Sequence, residues 1–276
     1  MIWTGNLRKM STSLNGKANY RLRLFDGLES QHEIEINRFV GHKVCLKFEN
    51  EINCVVTGKK IPKTFGEGMS FSAFMKSPSA VESIIRPELS RIHEGIALRD
   101  FDWENEHHNT PHYVYLSRTS GVKVGVTREI NVPFRWIDQG AIQAILLAET
   151  PYRQLAGQIE VSLKEHLSDK TNWRDMLTNK VNLEPDLLTV KEEVLELLDE
   201  GFYEFISEDD DITTIEYPVL SYPEKVKSLK LDTTPIIEGV LQGIKGQYLI
   251  FDGGRVINIR SHAGYKVSFE TDLQED

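Results

Sequence analysis

The segment His112 to Arg135, HYVYLSRTSGVKVGVTREINVPFR, constrains the fold more than any other stretch. Two short runs rich in β-branched and aromatic residues, YVYL and VKVGVT, flank a Thr-Ser-Gly turn, which is the pattern of a β-hairpin. Pro133 then suits the first turn of a helix, with Ile137, Ala141 and Ala144 along its apolar stripe. AILLAET follows as a strand. Leu155, Ile159, Leu163 and Leu167 recur every fourth residue, the spacing of an amphipathic helix. A hairpin, helix, strand and helix in that order make an α+β unit built on a small mixed or antiparallel sheet. The order also suits a phosphate site: a tyrosine on one strand, Lys-x-Gly on the next, and Arg135 on the helix behind.

The flanking sequence divides into further segments. Residues 1–60 read as a β module: YRLRLF alternates as a strand does, and KVCLKF and EINCVV predict a hairpin turning at Glu49-Asn50. Residues 61–111 are turn-rich, with helix expected from Pro78 to Leu98 and interrupted at Pro87. The α/β unit occupies 112–206 and ends in a long helix, where Leu187, Val190, Val194, Leu197 and Leu198 share one side and Gly201 closes it. Residues 207–276 begin with four consecutive acids in SEDDDIT, a solvated linker by composition, because the Asp-x-Asp-x-Asp-Gly spacing of a calcium loop is missing. PIIEGVLQGI, GQYLIFD, RVINIRS and YKVSFE then predict a small antiparallel sheet or barrel.

A formal net charge of −10 argues against coating nucleic acid by bulk electrostatics. The distribution is more informative. Residues 111–180 hold nine basic against seven acidic side chains, or +2, which leaves −12 for the remainder. Any phosphate binding is therefore local. No apolar run reaches the roughly 20 residues of a membrane span, and the start MIWTGNLRKM lacks the apolar centre of a secretory signal. With two cysteines, Cys45 and Cys54, the cytoplasm is the expected compartment. Oligomeric state is not legible.

TGKKIPKTFGEG, RPELSRIHEG, RWIDQGA, RQLAGQIEVSLKEHL and DKTNWR together resemble a bacterial domain family of unknown function, number 2797. Within it, VYL, KVGVT, Arg135, Glu160 and Asn172 are similar in order to the GIY-YIG nuclease superfamily, in the branch that carries KIG for YIG. That resemblance implies a phosphodiester hydrolase acting on DNA or RNA with one divalent ion, magnesium or manganese. It places Tyr115 in the slot of the tyrosine that positions or deprotonates the attacking water. Arg135 would fork onto the phosphate and Glu160 would hold the metal. Lys123 takes the second tyrosine's slot, where it can bind phosphate as a point charge. Tyr113, Gly125, Thr127 and Asn172 complete the substrate side, with Gly125 admitting close backbone approach.

Each residue also has a structural reading. Tyr115 is a half-buried strand aromatic, Arg135 pairs with Asp138 or Gln139, and Glu160 is a solvated flank of its helix. Two departures from the families matter. Lys123 cannot reproduce a neutral phenol, so a binding module that no longer cuts is the alternative, and a protein-interaction scaffold is a third reading. The slots of a zinc ribbon read Cys54, Thr57, Ser70 and Ala73, so a structural zinc is not expected there. Packing around Phe65, Phe71 and Phe74 would hold the relic instead. His93, His107, His108 and His112 lie nearby in sequence, and as neighbours of a loop they read as surface residues. Convergence of Tyr115, Lys123, Arg135 and Glu160 on an open cleft would favour an enzyme; burial of two of them would favour a scaffold.

Overall fold

A computed structural model describes residues 1–164, 166–167 and 171–273. Asp169 and Lys170 of the DKTNWR stretch, and the last three residues of the 207–276 segment, lie outside the described residues. The fold is α+β, and the chain forms two compact units, Met1–Lys76 with Glu216–Asp276, and Ser77–Ile215. No helix among the described residues is long and apolar enough to cross a membrane.

The first unit joins both ends of the chain in one curled sheet. Its strands are β1 (Ile2–Leu7), β2 (Ser11–Asn15), β3 (Lys17–Asp26), β4 (Glu29–Glu35) and β5 (Lys43–Ile52) from the N-terminal segment. From the C-terminal segment come β10 (Lys227–Ser228), β11 (Ile236–Lys245), β12 (Tyr248–Phe251), β13 (Arg255–Asn258) and β14 (Tyr265–Thr271). The order is β10-β13-β12-β11-β5-β14-β1-β3-β2, with β4 on the other side of β3. The two terminal β segments, separate in the sequence, thus complete each other across β5. Strand alternation turns Ala18, Tyr20, Leu22 and Leu24 of β3 inward. Trp3, Phe39 and Phe269 close the core, their ring centroids 5.6–6.0 Å apart.

One expectation is corrected here. KVCLKF and EINCVV do not form a hairpin; residues 43–52 run as the single strand β5. Asn50 sits at φ 55°, and the register with β14 shifts between Tyr265 and Val267. The turn residue absorbs a bulge, because a short polar side chain tolerates the left-handed region.

The turns between 54 and 74 are held by hydrogen bonds and ring packing. Cys54 is buried, and its sulfur accepts the Ser70 N–H at 3.1 Å, while Ser70 Oγ accepts the Ala73 N–H at 3.1 Å. Burial pushes the thiol up, but bonds from the Thr57 side chain and from the Ser70, Val56 and Thr57 amides outweigh it and bring the group to about 6. The Phe65 and Phe71 rings pack 5.1 Å apart beside a short helix, α1 (Phe71–Lys76).

The second unit carries an antiparallel sheet in the order β7-β6-β8-β9, with β6 at His112–Arg118, β7 at Val122–Arg128, β8 at Gln143–Thr150 and β9 at Thr213–Thr214. Its helices are α2 (Phe101–His108), α3 (Phe134–Asp138), α4 (Arg153–Leu163), α5 (Trp173–Leu177) and α6 (Leu187–Leu195). Val114, Leu116 and Val124 of the hairpin share a core with Ala156, Ile159 and Leu163 of α4 and with Leu187, Val190 and Val194 of α6. At roughly 25 cal/mol per Å² of apolar area buried, this shared core is what holds the two helices on the sheet.

The helix expected over 78–98 is replaced by four short 3-10 turns, at Pro78–Ala80, Glu82–Ile84, Pro87–Leu89 and Ile92–Glu94. Pro78 and Pro87 each open a turn, where a missing N–H costs nothing, and neither fits a helix interior. The regular helix comes later, at α2, where the Asp100 carboxylate accepts the Trp103 N–H at 2.9 Å. The acidic run at 208–211 is likewise more than a solvated linker. The Lys191 amine, 3% exposed, donates to Ser207 O, Asp209 O and Asp210 Oδ1 at 2.8–2.9 Å.

The 86–90 turn is seated directly on α4 through Gly157. A Cβ there would stand 2.3 Å from the Glu88 nitrogen and 2.6 Å from the Pro87 carbonyl carbon, both rigid backbone. Gly157→Ala is therefore expected to lower unfolding stability by about 1–3 kcal/mol, although alanine is the better helix former. Urea unfolding of the full chain checks this; an unchanged or raised midpoint would show that the seam yields.

Candidate functional site

The β6–β7 hairpin sets the site's register. Tyr113, Tyr115 and Ser117 stand opposite Thr127, Gly125 and Lys123. Alternation puts these six on one face, opposite the face that meets α4 and α6. Tyr115 lies over Gly125 so closely that a Cβ on the glycine would fall 2.7 Å from the phenol oxygen. The Lys-x-Gly glycine is thus needed by a tyrosine ring of its own sheet, in place of the ligand approach expected from the sequence.

Tyr115 is fully buried, and its hydroxyl donates to Gln139 Oε1 at 3.0 Å. Burial raises its pKa, opposed first by the charge of Arg135 and then by hydrogen bonds with Arg135 and Gln139. Trp136 meets the same ring edge-on at 5.9 Å. With Gly125 beneath the ring, α3 and its C-terminal residue add Trp136 and Gln139 around the phenol. Arg135 forms no ion pair among the described residues, and Gln139, which the structural reading offered as its partner, accepts the Tyr115 hydroxyl instead.

Glu160 sits on the flank of α4, its side chain 12% exposed and 3.5 Å from the Lys164 amine. Burial raises its pKa; Lys164 and Arg153 oppose that, and Glu88 adds to it. Its effect on Tyr115 is electrostatic and the weakest of those on the phenol. Tyr115 and Gln139 are thus hydrogen-bonded, while Arg135 and Glu160 lie within electrostatic range of the phenol. Lys123 is on the hairpin face, 6% exposed. Two of the four convergent residues, Tyr115 and Lys123, are therefore buried.

The remaining sequence candidates lie elsewhere. Tyr113 donates to Glu129 Oε1 at 3.2 Å, and burial followed by that bond pushes it up to about 12. Thr127 is buried opposite it. Asn172 caps α5, with its Oδ1 accepting the Arg174 N–H at 3.1 Å and its backbone N–H reaching Ser120 Oγ at the hairpin turn. It makes no contact with Tyr115 or Arg135.

Two residues that the sequence reading did not single out belong to this neighbourhood, Arg153 and Glu88; Gln139 entered it only as a partner for Arg135. Arg153 lies seven positions before Glu160, two turns along the same helix face, which is the signal that would have found it. Burial lowers Arg153 to about 10; Glu160 opposes this, and Arg135 and Arg128 add to it. Beside it are two histidines that the sequence placed at the surface and the structure buries. His108 and His112 are 2% and 0% exposed, and the Nε2 atom of each is buried with no hydrogen-bond partner. Burial, then the charge of Arg153, holds His108 near 3; burial holds His112 near 4, although its bond to Thr110 O works the other way.

For metal binding, the described residues bring no three His, Cys, Asp or Glu side chains together. A hard divalent ion that keeps most of its water can be held by one carboxylate. Glu160 fits that description, with Lys164 as its competitor for the same oxygen.

The family described as "Protein of unknown function (DUF2797)" matches residues 41–267, and the chain belongs to it. No curated protein and no solved structure matches the chain.

Two measurements follow from this geometry. Asn172→Ala should cost about 0.5–2 kcal/mol of stability as a lost helix cap and leave any phosphate affinity unchanged; a loss of affinity at unchanged melting would restore its place on the substrate side. His108 and His112 have folded-state pKa values below the unfolded value near 6.5, so they stay neutral in the fold while the unfolded chain takes up protons. Their contribution is complete above pH 6.5 and is lost as pH falls toward 4 and then 3, by up to about 1.4 kcal/mol per pH unit for each. Urea midpoints between pH 7 and 4 should fall less steeply in a His108→Gln, His112→Gln protein; equal slopes would contradict the assignment.

Proposed function

We propose that the Ser77–Ile215 unit is a GIY-YIG-like phosphodiester hydrolase acting on DNA or RNA. The observation that carries the reading is that Arg135 stands in electrostatic range of the Tyr115 phenol and forms no ion pair among the described residues. A guanidinium without a carboxylate partner leaves its charge to a ligand, and its plane suits two oxygens of one phosphate. Glu160, in electrostatic range and short of solvent, is the carboxylate beside it. Magnesium or manganese, when bound there, supplies positive charge to the phosphoryl oxygens. Tyr115, whose single O–H is committed to Gln139 Oε1, positions its neighbours rather than serving as a base, because burial holds its proton on.

The second reading is a non-catalytic module that binds a phosphate ligand. The pairing of Glu160 with Lys164 favours it, while the burial of Tyr115 and Lys123 favours the third reading, a protein-interaction scaffold. Labelled single- and double-stranded DNA and RNA, incubated with magnesium or manganese, separate the two. The enzyme reading expects cleavage that falls on the order of 100-fold or more in Glu160→Gln and in Arg135→Ala. Cutting that survives both substitutions belongs to another site or protein. Salt-sensitive binding without cleavage selects the module.

A further inference from the structure

We propose that the solvent face of β2, β3 and β4 is a binding groove for a neutral polyhydroxylated ligand, a short saccharide chain. The groove lies wholly within the first unit and is independent of the reading given for Ser77–Ile215. Two adjoining cavities form it, of about 800 and 510 Å³, and Arg21, Glu33 and Glu35 line both. Pockets that bury small ligands commonly measure ~300–1,000 Å³.

Strand register builds the floor. Arg21 stands opposite Glu35 and Arg23 opposite Glu33 across β3 and β4, while Ser11 and Ser13 of β2 stand opposite Arg21 and Asn19. The even-numbered residues of β3 turn into the core, so these side chains share the outer face. Each ion pair closes on one oxygen: Arg21 Nη2 on Glu35 Oε1, and Arg23 Nε on Glu33 Oε1, both at 3.1 Å. The second oxygen of each carboxylate, and the hydroxyls of Ser11 and Ser13, make no hydrogen bond among the described residues.

These pairs select the ligand. Arg21 and Arg23 are each matched by a carboxylate, so a phosphate or an ammonium group would have to break a pair to bind there. A hydroxyl does not: it donates to the open carboxylate oxygen and accepts from a guanidinium N–H beside it. A sugar ring carries several such hydroxyls, and Ser11 and Ser13 extend the supply of donors and acceptors along β2.

A saccharide also has apolar C–H faces. Trp3 lines the smaller cavity together with Arg21 and Glu35; it is half-buried and stacks on the Phe269 ring, centroids 6.0 Å apart. An aromatic ring packed on one side and bordering a cavity on the other is a platform for such a face. Arg23 is held as well, its guanidinium 5.2 Å from the centre of the Phe25 ring. A floor fixed in this way loses little side-chain entropy when a ligand arrives. Exposed ion pairs contribute little to folding, so removing one leaves a folded chain on which binding can be read.

The test is titration of the full chain with maltotriose, cellotriose and chitotriose, followed by calorimetry and saturation-transfer NMR over a range of salt. A sulfated oligosaccharide and an oligonucleotide serve as charged controls. At least one neutral trisaccharide is expected to bind, with an affinity that salt leaves unchanged. Glu33→Ala and Glu35→Ala should each weaken it on the order of tenfold, the worth of one hydrogen bond to a charged group. Glu33→Gln and Glu35→Gln keep an acceptor oxygen and should recover part of the loss. Trp3→Ala should abolish saturation transfer and Trp3→Phe should retain some; where Trp3→Ala does not fold, the carboxylate variants decide.

Binding of none of the three trisaccharides overturns the proposal. So does binding that both alanine variants leave unchanged, because the sugar then sits elsewhere. Preference for the charged controls, with an affinity that falls steeply as salt rises, shows a groove that reads charge and overturns it too. None of these outcomes turns on Arg135 or Glu160.

Discussion

A phenol taken fully out of water must find a hydrogen-bond partner, and the second unit is organised around meeting that demand for Tyr115. An unpaired buried hydroxyl costs on the order of 1–3 kcal/mol. The hairpin makes room for the ring by having no side chain at position 125, and α3 delivers Gln139 and Arg135 to the oxygen. The Arg135 charge stands near that oxygen, so the proposed phosphate site and the packing of the unit share Tyr115.

Two buried charges of this unit are met by backbone rather than by an opposite charge, in contrast to Lys191, which also pairs with Asp210. Arg118 is 1% exposed, and its two terminal nitrogens donate to Asn182 O and Pro185 O. Glu104 is fully buried and accepts the amide protons of Leu98, Arg99 and Asp100. Carbonyls and amides make directional bonds that specify loop geometry, as for 182–185 and 98–100, without requiring a partner charge to be desolvated too. Arg153 is met in the same way at the edge of the fold, where it leaves a charge facing solvent.

Much of this was legible in the chain. The hairpin, β8 and α4 follow from period-2 and period-4 patterns strong enough to be read without context, and the family was readable from motifs spread over residues 40–180. What escaped was long-range. No local pattern says that β5 will lie between strands two hundred residues later, because pairing partners are chosen by which strands are left with open edges. The helix expected over 78–98, interrupted at Pro87, gives way to separate 3-10 turns because Pro78 and Pro87 each open a turn of their own. At the candidate site, the order of Tyr115 and Arg135 along the chain does not show that Gln139 accepts the phenol's hydrogen bond, which depends on how α3 meets the hairpin. His108 and His112 were misplaced because burial of a histidine depends on what folds over it, here the turns at 83 and 90.

Gly157 has a consequence for how α4 comes to exist. A helix of eleven residues with glycine near its middle has little tendency to form alone, since short helices are marginal in water and glycine is the poorest ordinary helix former. Its order is borrowed from the backbone that sits on it. Arg153 and Glu160 stand on either side of that glycine, so both charges acquire fixed positions only once the 86–90 loop has arrived. The neighbourhood therefore exists as a product of assembly, and loosening that one loop would blur a guanidinium and a carboxylate together.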